Sequence, residues 1–456
     1  MSSLFGTLSI ALSGLRASQG ELDVTSNNVA NANTPGYSRQ RAVLVQADPI
    51  IIGPLTFGSG VSLLKVESLR DSVLEVQIQQ ENQGQGQIDA FLTGMRQVEV
   101  MFTSSQSDIG AQFSKFFASL SELSTNPSDL SLRQGVLTAA GNLASTFNNI
   151  VTNLTLQRQN LDLSIVQDVQ QVNALTTQIA GLNGQIQAAE DLGREASSFI
   201  DKRDVLIEKL SSLIDVSSIR SDNGIALTTS NGTPLVDGMR SYSLNTQVDA
   251  SGVQHIYAEN SDITSKLSSG AIAGVLMIRD QKIPDLLSDL DTLAAGFEEA
   301  VNAAQKAGYD LNGQPAGNLF TAPPAGGTGA AGAMSLFTND PAAIAASSDG
   351  SAGSNGNVAG LLAVHDQLIA GGRTPSDFYS KMVFTVGNDV ANAEAEAEAS
   401  QLVLQQLQDQ RGSISGVSLD EEAANLIQFQ RAYEASARVI STINDVLDVT
   451  INLGRY

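Results

Sequence analysis

The chain has no cysteine, no tryptophan, two histidines, and aromatic residues at only 5% of its 456 positions. Without cysteine there is no disulfide, no thiolate nucleophile and no cysteine-ligated zinc or iron–sulfur site. That absence suits a protein that ends up outside the cell without oxidative folding. Basic residues are also scarce: 25 Lys+Arg stand against 48 Asp+Glu, a net charge of −23. Phosphate backbones are gripped by clustered Lys and Arg. No basic run occurs, so no nucleic-acid partner is expected. No apolar run approaches the ~20 residues that cross a bilayer, so no membrane span is expected. The start, MSSLFGTLSIALSGLR, reaches its first basic residue at Arg16 and lacks the charged leader of a secretory signal. Either the chain stays in the cytoplasm or it leaves by a route that reads no ordinary signal peptide.

Proline is missing between Pro127 and Pro234 and again after Pro375. Both gaps carry helical periodicity. Leu4, Leu8, Ala11, Leu15, Ser18, Leu22, Thr25 and Val29 step by fours and threes, a heptad stripe that Phe5, Leu12 and Val24 widen. The helix should stop at Thr34-Pro35-Gly36-Tyr37, where Pro-Gly suits the centre of a type II turn. An extended arm follows through Val43, Val45, Pro49 and Pro54. At the other end Ser418-Leu419-Asp420-Glu421 reads as a capping box. It opens a stripe of Leu419, Ala423, Leu426, Tyr433, Ala437, Ile440, Leu447 and Ile451.

The longest stripe is internal. Phe147, Val151, Leu154, Leu161, Ile165, Val172, Leu175, Ile179, Leu182, Ile186 and Ala189 keep one register, with Arg158 and Asp168 as exceptions. Another helix runs through Val386, Val390, Ala393, Ala397, Leu404 and Leu407. One from Leu69 to Phe102 is weakened by Gly84 and Gly86, and short helices are expected at Phe113–Leu123 and Leu286–Ala304. Between about Val216 and Ile278 the pattern alternates, with turn signals at Asn231-Gly232 and Asp237-Gly238, which reads as a small β module. Thr321–Gly360 is rich in Ala, Gly and Ser and reads as a flexible surface segment.

The fold class expected is mainly α. Paired N- and C-terminal helices and a long helical coiled-coil bundle carry an inserted, smaller β-rich outer domain. The expected division is 1–64 with 413–456 (terminal helices and arm), 65–215 with 279–304 and 376–412 (coiled coil), and 216–278 with 305–375 (outer).

The terminal helix is marginal alone. Ordering ~29 residues costs roughly 44 kcal/mol. Hydrogen bonds return about 25, and about nine apolar side chains return roughly 18 if fully buried. A single partner helix covers one face, so both tails are expected to be disordered in the free chain and to fold when neighbouring subunits cover the remaining faces. An ordinary intramolecular helix pair is the competing reading.

Catalytic patterns are weak. Ser62-x-x-Lys65 and Ser221-Asp222-Asn223 resemble penicillin-recognising elements, but no Lys-Thr-Gly follows. Gly327-Thr328-Gly329-Ala330-Ala331-Gly332 fits a dinucleotide glycine pattern without a preceding strand. Asp310-Leu311-Asn312-Gly313 has too few ligands for calcium and reads as a turn. His255 and His365 are isolated, and Glu421-Glu422 suits a helix start. No enzyme activity, catalytic residue, cofactor or metal site is expected.

The segment Asn27-Asn28-Val29-Ala30-Asn31-Ala32-Asn33-Thr34-Pro35-Gly36-Tyr37 resembles the signature of bacterial flagellar rod, hook and hook-associated axial proteins. So does the closing stretch from Leu419 to Asp448. Tyr37-Ser38-Arg39-Gln40, Asp201-Lys202-Arg203-Asp204-Val205-Leu206 and Gly308-Tyr309-Asp310-Leu311-Asn312-Gly313 are similar to the FlgK-type family, the first of the hook–filament junction proteins. This resemblance implies an extracellular structural protein of the flagellum, exported by the flagellar type III apparatus and assembled with itself as a tubular homo-oligomer. Implied partners are the hook protein, the second junction protein (FlgL type) and a cytoplasmic export chaperone (FlgN type) at the C-terminal helix. The expected subunit interface comprises Leu4, Leu8, Ala11, Leu15, Leu22 and Val29 with Leu426, Tyr433, Ala437, Ile440, Leu447 and Ile451. The turn and arm motif comprises Asn31, Asn33, Pro35, Gly36 and Tyr37. The alternatives are another hook or rod subunit, which would lack the long inner coil, and a secreted enzyme or adhesin with axial-type ends.

Overall fold

The structure is a computed structural model and describes residues 2–52, 55–103, 108–221 and 224–453. The fold is mainly α. The chain forms two compact units, one of Met1–Gly84, Gln171–Leu244 and Ser400–Tyr456, the other of Gln85–Gln170 and Asn245–Ala399.

In the first unit, α1 (Ser2–Asn31) ends just before the proline turn. The Tyr37 amide donates to the Thr34 carbonyl at 3.1 Å and Gly36 has φ 76°, which is the type II geometry that Pro35-Gly36 favours. Gly36 also meets α5 (Ser197–Leu213): a Cβ there would lie 2.2 Å from Val205 Cγ2. The arm is a hairpin of β1 (Gln40–Gln46) against β4 (Val61–Ser68), with β2 (Ile50–Ile52) paired to β3 (Leu55–Phe57); Pro54 lies outside the described residues. A four-stranded antiparallel sheet follows: β5 (Ser217–Ser221), β6 (Gly224–Thr228), β7 (Pro234–Asp237) and β8 (Arg240–Ser241), in chain order. Asn231-Gly232 makes the β6–β7 turn, as its residues require. The unit closes with α11 (Leu419–Leu453).

Three long helices have segments in both units: α2 (Ser72–Thr103), α4 (Leu130–Asp191) and α10 (Pro375–Ser415). The expected weakness at Gly84 and Gly86 is not realised, and α2 is continuous. Each glycine costs up to ~1 kcal/mol in a helix, but burial of Ile78, Leu92, Met95 and Val98 outweighs it. The α4 stripe is inward: Phe147, Leu154, Leu161, Ile165, Val172, Leu175, Ile179 and Ile186 are buried. At the exception Asp168, burial pushes the carboxyl up to about 6.

In the second unit α3 (Ile109–Thr125) is capped by Asp108, which accepts from the Ala111 amide. A three-stranded sheet orders β11 (Ser261–Asp262), β10 (Gln254–Ala258) and β9 (Leu244–Val248). The β module therefore ends at Asp262, short of Ile278. The apolar run that follows is α6 (Ala271–Met277), which passes through a π turn into α7 (Ile283–Lys306). Phe113, Phe116, Phe147, Phe297 and Phe320 form the core, with ring centroids 4.9–6.2 Å apart.

The segment 321–360 is not the flexible stretch its composition suggests. Ala330, Ala331, Met334, Ile344, Ala345, Ala346 and Val358 are buried, and α8 (Ala330–Ala333) and α9 (Val358–Ala363) form within it. Distant side chains clip its backbone and that of the two residues leading into it. Asn302 accepts from the Leu319 and Phe320 amides and donates to the Phe320 carbonyl, each within 3.0 Å. Gln305 bonds Ala343 and Ala345. Arg133, 1% exposed, donates to the carbonyls of Pro341, Ala342 and Ile344.

Candidate subunit interface

The terminal helices α1 and α11 pack antiparallel. Asn28 Nδ2 lies 3.1 Å from Glu422 Oε2, and a Cβ on Gly14 would lie 3.2 Å from Ser436 Oγ. Moving from 28 to 14 on α1 thus moves from 422 to 436 on α11. Small or polar residues (Ala11, Ala17, Ser18, Thr25, Asn28) line the buried face of α1. The arm covers a second face: the Val61 amide donates to Ser13 Oγ at 3.1 Å, and Leu63 abuts Gly20.

Of the residues expected at the interface, Ala11 is buried. Leu4, Leu8, Leu15, Leu22, Leu426, Tyr433, Ala437, Ile440 and Leu447 are half-buried, and Val29 and Ile451 are exposed. Much of the stripe is thus already shielded within the chain. Further apolar groups left open lie beside it: Phe5 (56% exposed), Ile10 and Leu12 on α1, with Ile427, Val439, Val446 and Val449 on α11. Phe5 and Leu12 are seven residues apart and share a flank; so do Val439 and Val446. The stripe reading treated Phe5 and Leu12 as its margin and missed the valines, although their own seven-residue spacing is a readable signal.

Where α1 ends and α11 begins lies a polar knot. Asn28, 1% exposed, uses its whole side chain. Nδ2 donates to the Gln40 carbonyl at 2.9 Å and to Glu422; Oδ1 accepts from the Tyr37 hydroxyl and the Gln40 amide, both at 2.9 Å. Glu422, also 1% exposed, accepts from Arg39 Nε at 2.7 Å, while Arg39 reaches Glu421 at 2.7 Å. The capping box is therefore half made. Ser418 Oγ accepts from the Glu421 amide, but the Glu421 carboxylate turns to Arg39. Next in the chain, the Ser38 amide donates to Asp201 of α5 at 3.2 Å. Asp201 is itself paired with Arg70, which also holds Asp204 at 2.5 Å. Burial pushes the Asp201 carboxyl up against the pull of Arg70. The Tyr37 hydroxyl is pushed up to about 12 by burial and then by Asp201, Glu422 and Glu195, so it serves as a neutral donor. Asn31 donates to Asn27 at 2.9 Å; Asn33 and Pro35 are exposed.

The weak catalytic patterns fall into structural roles. Ser62 and Lys65 lie on β4, Lys65 pairing with Glu67 at 3.0 Å. Asp222 and Asn223 lie outside the described residues. Asp310 Oδ1 accepts from the Asn312 and Gln314 amides, a turn. Gly327–Gly332 leads into α8. His255 sits 2.8 Å from Asp262, and His365 2.6 Å from Asp366. Among the described residues no group of three or more His, Asp or Glu is placed to hold a metal, and no helix is long and apolar enough to cross a membrane.

Comparison with known proteins bears on the whole chain. It is 32% identical over a 500-position alignment to flagellar hook-associated protein 1 of Bacillus subtilis (strain 168), covering 99% of both chains. The chain belongs to the flagellar hook-associated protein 1 family. A second member, from Escherichia coli (strain K12), is 28% identical over 549 positions, covering 99% of this chain and 100% of that one. The model of the FlgK helical domain matches residues 95–320. The model of the basal body rod protein matches 8–37, and that of the FlgEFG C-terminal region 410–453, the two segments that pack as α1 and α11. The hook junction protein FlgK from Burkholderia pseudomallei shares the fold, with a TM-score of 0.67 at 18% identity over 74% of this chain and 100% of that one.

Proposed function

We propose that this chain is a structural protein of the bacterial flagellum that forms the hook–filament junction by self-assembly. The observation that carries the reading is the pair of open apolar flanks on α1 and α11, in a member of the hook-associated protein 1 family. Exposed apolar patches of this kind mark protein contacts. Residues 1–64 and 413–456 form the inner-tube domain, with Leu4, Leu8, Ala11, Leu15, Leu22, Val29, Leu426, Tyr433, Ala437, Ile440, Leu447 and Ile451 at or beside the subunit contact. The long helices supply lateral contacts, and the β-rich part faces outward. The hook protein and the second junction protein are its neighbours in the organelle. An export chaperone shields the C-terminal helix before the chain leaves through the type III apparatus. The role is structural, without catalysis. Deleting the gene tests this: cells should carry hooks without filaments and shed flagellin into the medium, and the intact gene should restore filaments. Normal filaments on the deletion strain would refute the junction role.

A further inference from the structure

We propose that an exposed row on α1 of one copy meets an exposed row on α11 of the next in a single antiparallel register, set by two ion pairs, Arg16–Asp445 and Asp23–Arg438. This rests on the self-assembly reading and adds to it which turn of one copy faces which turn of its neighbour. Leu12, Arg16, Gln19 and Asp23 follow one another along α1 in steps of four, three and four, so they share a face, and all are exposed. Arg438, Thr442, Asp445 and Val449 make the same steps along α11 and are exposed too. None of the four charged residues takes part in an ion pair among the described residues.

The two rows are complementary when read in opposite directions. Leu12 then meets Val449, Arg16 meets Asp445, Gln19 meets Thr442 and Asp23 meets Arg438. A slip of one heptad sets Arg16 against Arg438 in one direction and Asp23 against Asp445 in the other. A parallel match that pairs Asp23 with Arg438 sets Arg16 against Arg431. Like charges facing across a contact are strongly disfavoured, so charge selects the register while the apolar neighbours supply buried area. One chain cannot make this contact with itself. Gly14 is level with Ser436 and Asn28 with Glu422, so Leu12 is level with Arg438, and Val449 lies about 16 Å further along α11.

The chain has no cysteine, so a placed pair reports the contact without background. Flagella from a deletion strain supplied with Leu12→Cys plus Val449→Cys should, on oxidation, give a ladder of dimers and higher multiples, since a disulfide forms only where the two backbones are close. Leu12→Cys plus Thr442→Cys, the pair one heptad out of register, should give at least about tenfold less. A ladder from the slipped pair instead, or from neither pair in flagella that contain the variants, would overturn the register. Charge reversal is the second arm. Arg16→Asp or Asp445→Arg alone should leave the isolated chain folded and cut the number of filaments at least about tenfold, and the two together should restore filaments. Single variants that assemble normally, or a double variant as defective as either single, would also overturn it. In all these cases the junction role stands as long as the intact gene restores filaments; normal filaments on the deletion strain itself would sink that role and the register with it.

Discussion

Single side chains carry two consequences that titration and substitution can expose. Glu298 on α7 is 1% exposed, its Oε2 has no hydrogen-bond partner, and burial, aided by Glu299, pushes its carboxyl up to about 8. Its folded value thus lies above the unfolded 4.5. The native state holds the proton more tightly, and the stability this contributes is full below pH 4.5 and drains away as pH rises to about 8. Glu298→Gln should match the parent near pH 4.5 and exceed it by about 3–5 kcal/mol at pH 9, read as slower exchange of α7 amides; a gap that stays flat with pH would refute the burial argument. Gly36 is the second case. Its positive φ costs a side chain about 1–2 kcal/mol, and a Cβ would also strike Val205. Gly36→Ala should lower stability by about 2–4 kcal/mol, and adding Val205→Ala should recover the clash but not the backbone part in thermal melts. The turn was legible because Pro-Gly dictates its own geometry. The knot was not, since nothing local in Asn28 or Glu422 says that they meet.

At the level of elements, legibility followed periodicity. The α4 register could be read because a heptad spacing is a direct statement about one helix face, and the Pro35 and Ser418 boundaries because their chemistry acts within a few residues. Segment 321–360 could not be read, because small residues carry little apolar pattern and its order is imposed from outside by Arg133, Asn302 and Gln305. The β module was overextended for a related reason: AIAGVLM is apolar throughout, so its period cannot separate strand from buried helix. If the clips hold this segment, Asn302→Leu should leave the Leu319 and Phe320 amides buried without an acceptor, costing about 3 kcal/mol or more. Limited proteolysis should then cut within 321–360 well before the long helices. An unchanged cleavage pattern would mean that packing of Ala330, Met334 and Ile344 suffices without the amide.

For the whole molecule, the question is which apolar surface belongs to the chain and which to its neighbours. The stripe in the sequence is mostly the chain's own: Ala11 and the half-buried leucines are spent inside the helix pair, while Phe5 and Leu12 at its margin on one helix, and Val439 and Val446 outside it on the other, remain open. Open apolar groups on both helices suit contact with further copies of the chain, and where such contacts run head to tail they build rings or tubes rather than closed pairs. Phe5→Asp with Leu12→Asp, or Val439→Asp with Val446→Asp, should therefore leave the isolated chain folded, its melting point shifted by no more than a few degrees, and yet block incorporation, giving hooks without filaments in a deletion strain supplied with the variant. Leu15→Asp should act differently, loosening the helix pair in the free chain because it is half-buried there. Normal filaments with both doubly substituted flanks would show that neither surface joins subunits, and the assembly contact would have to lie on the long helices instead.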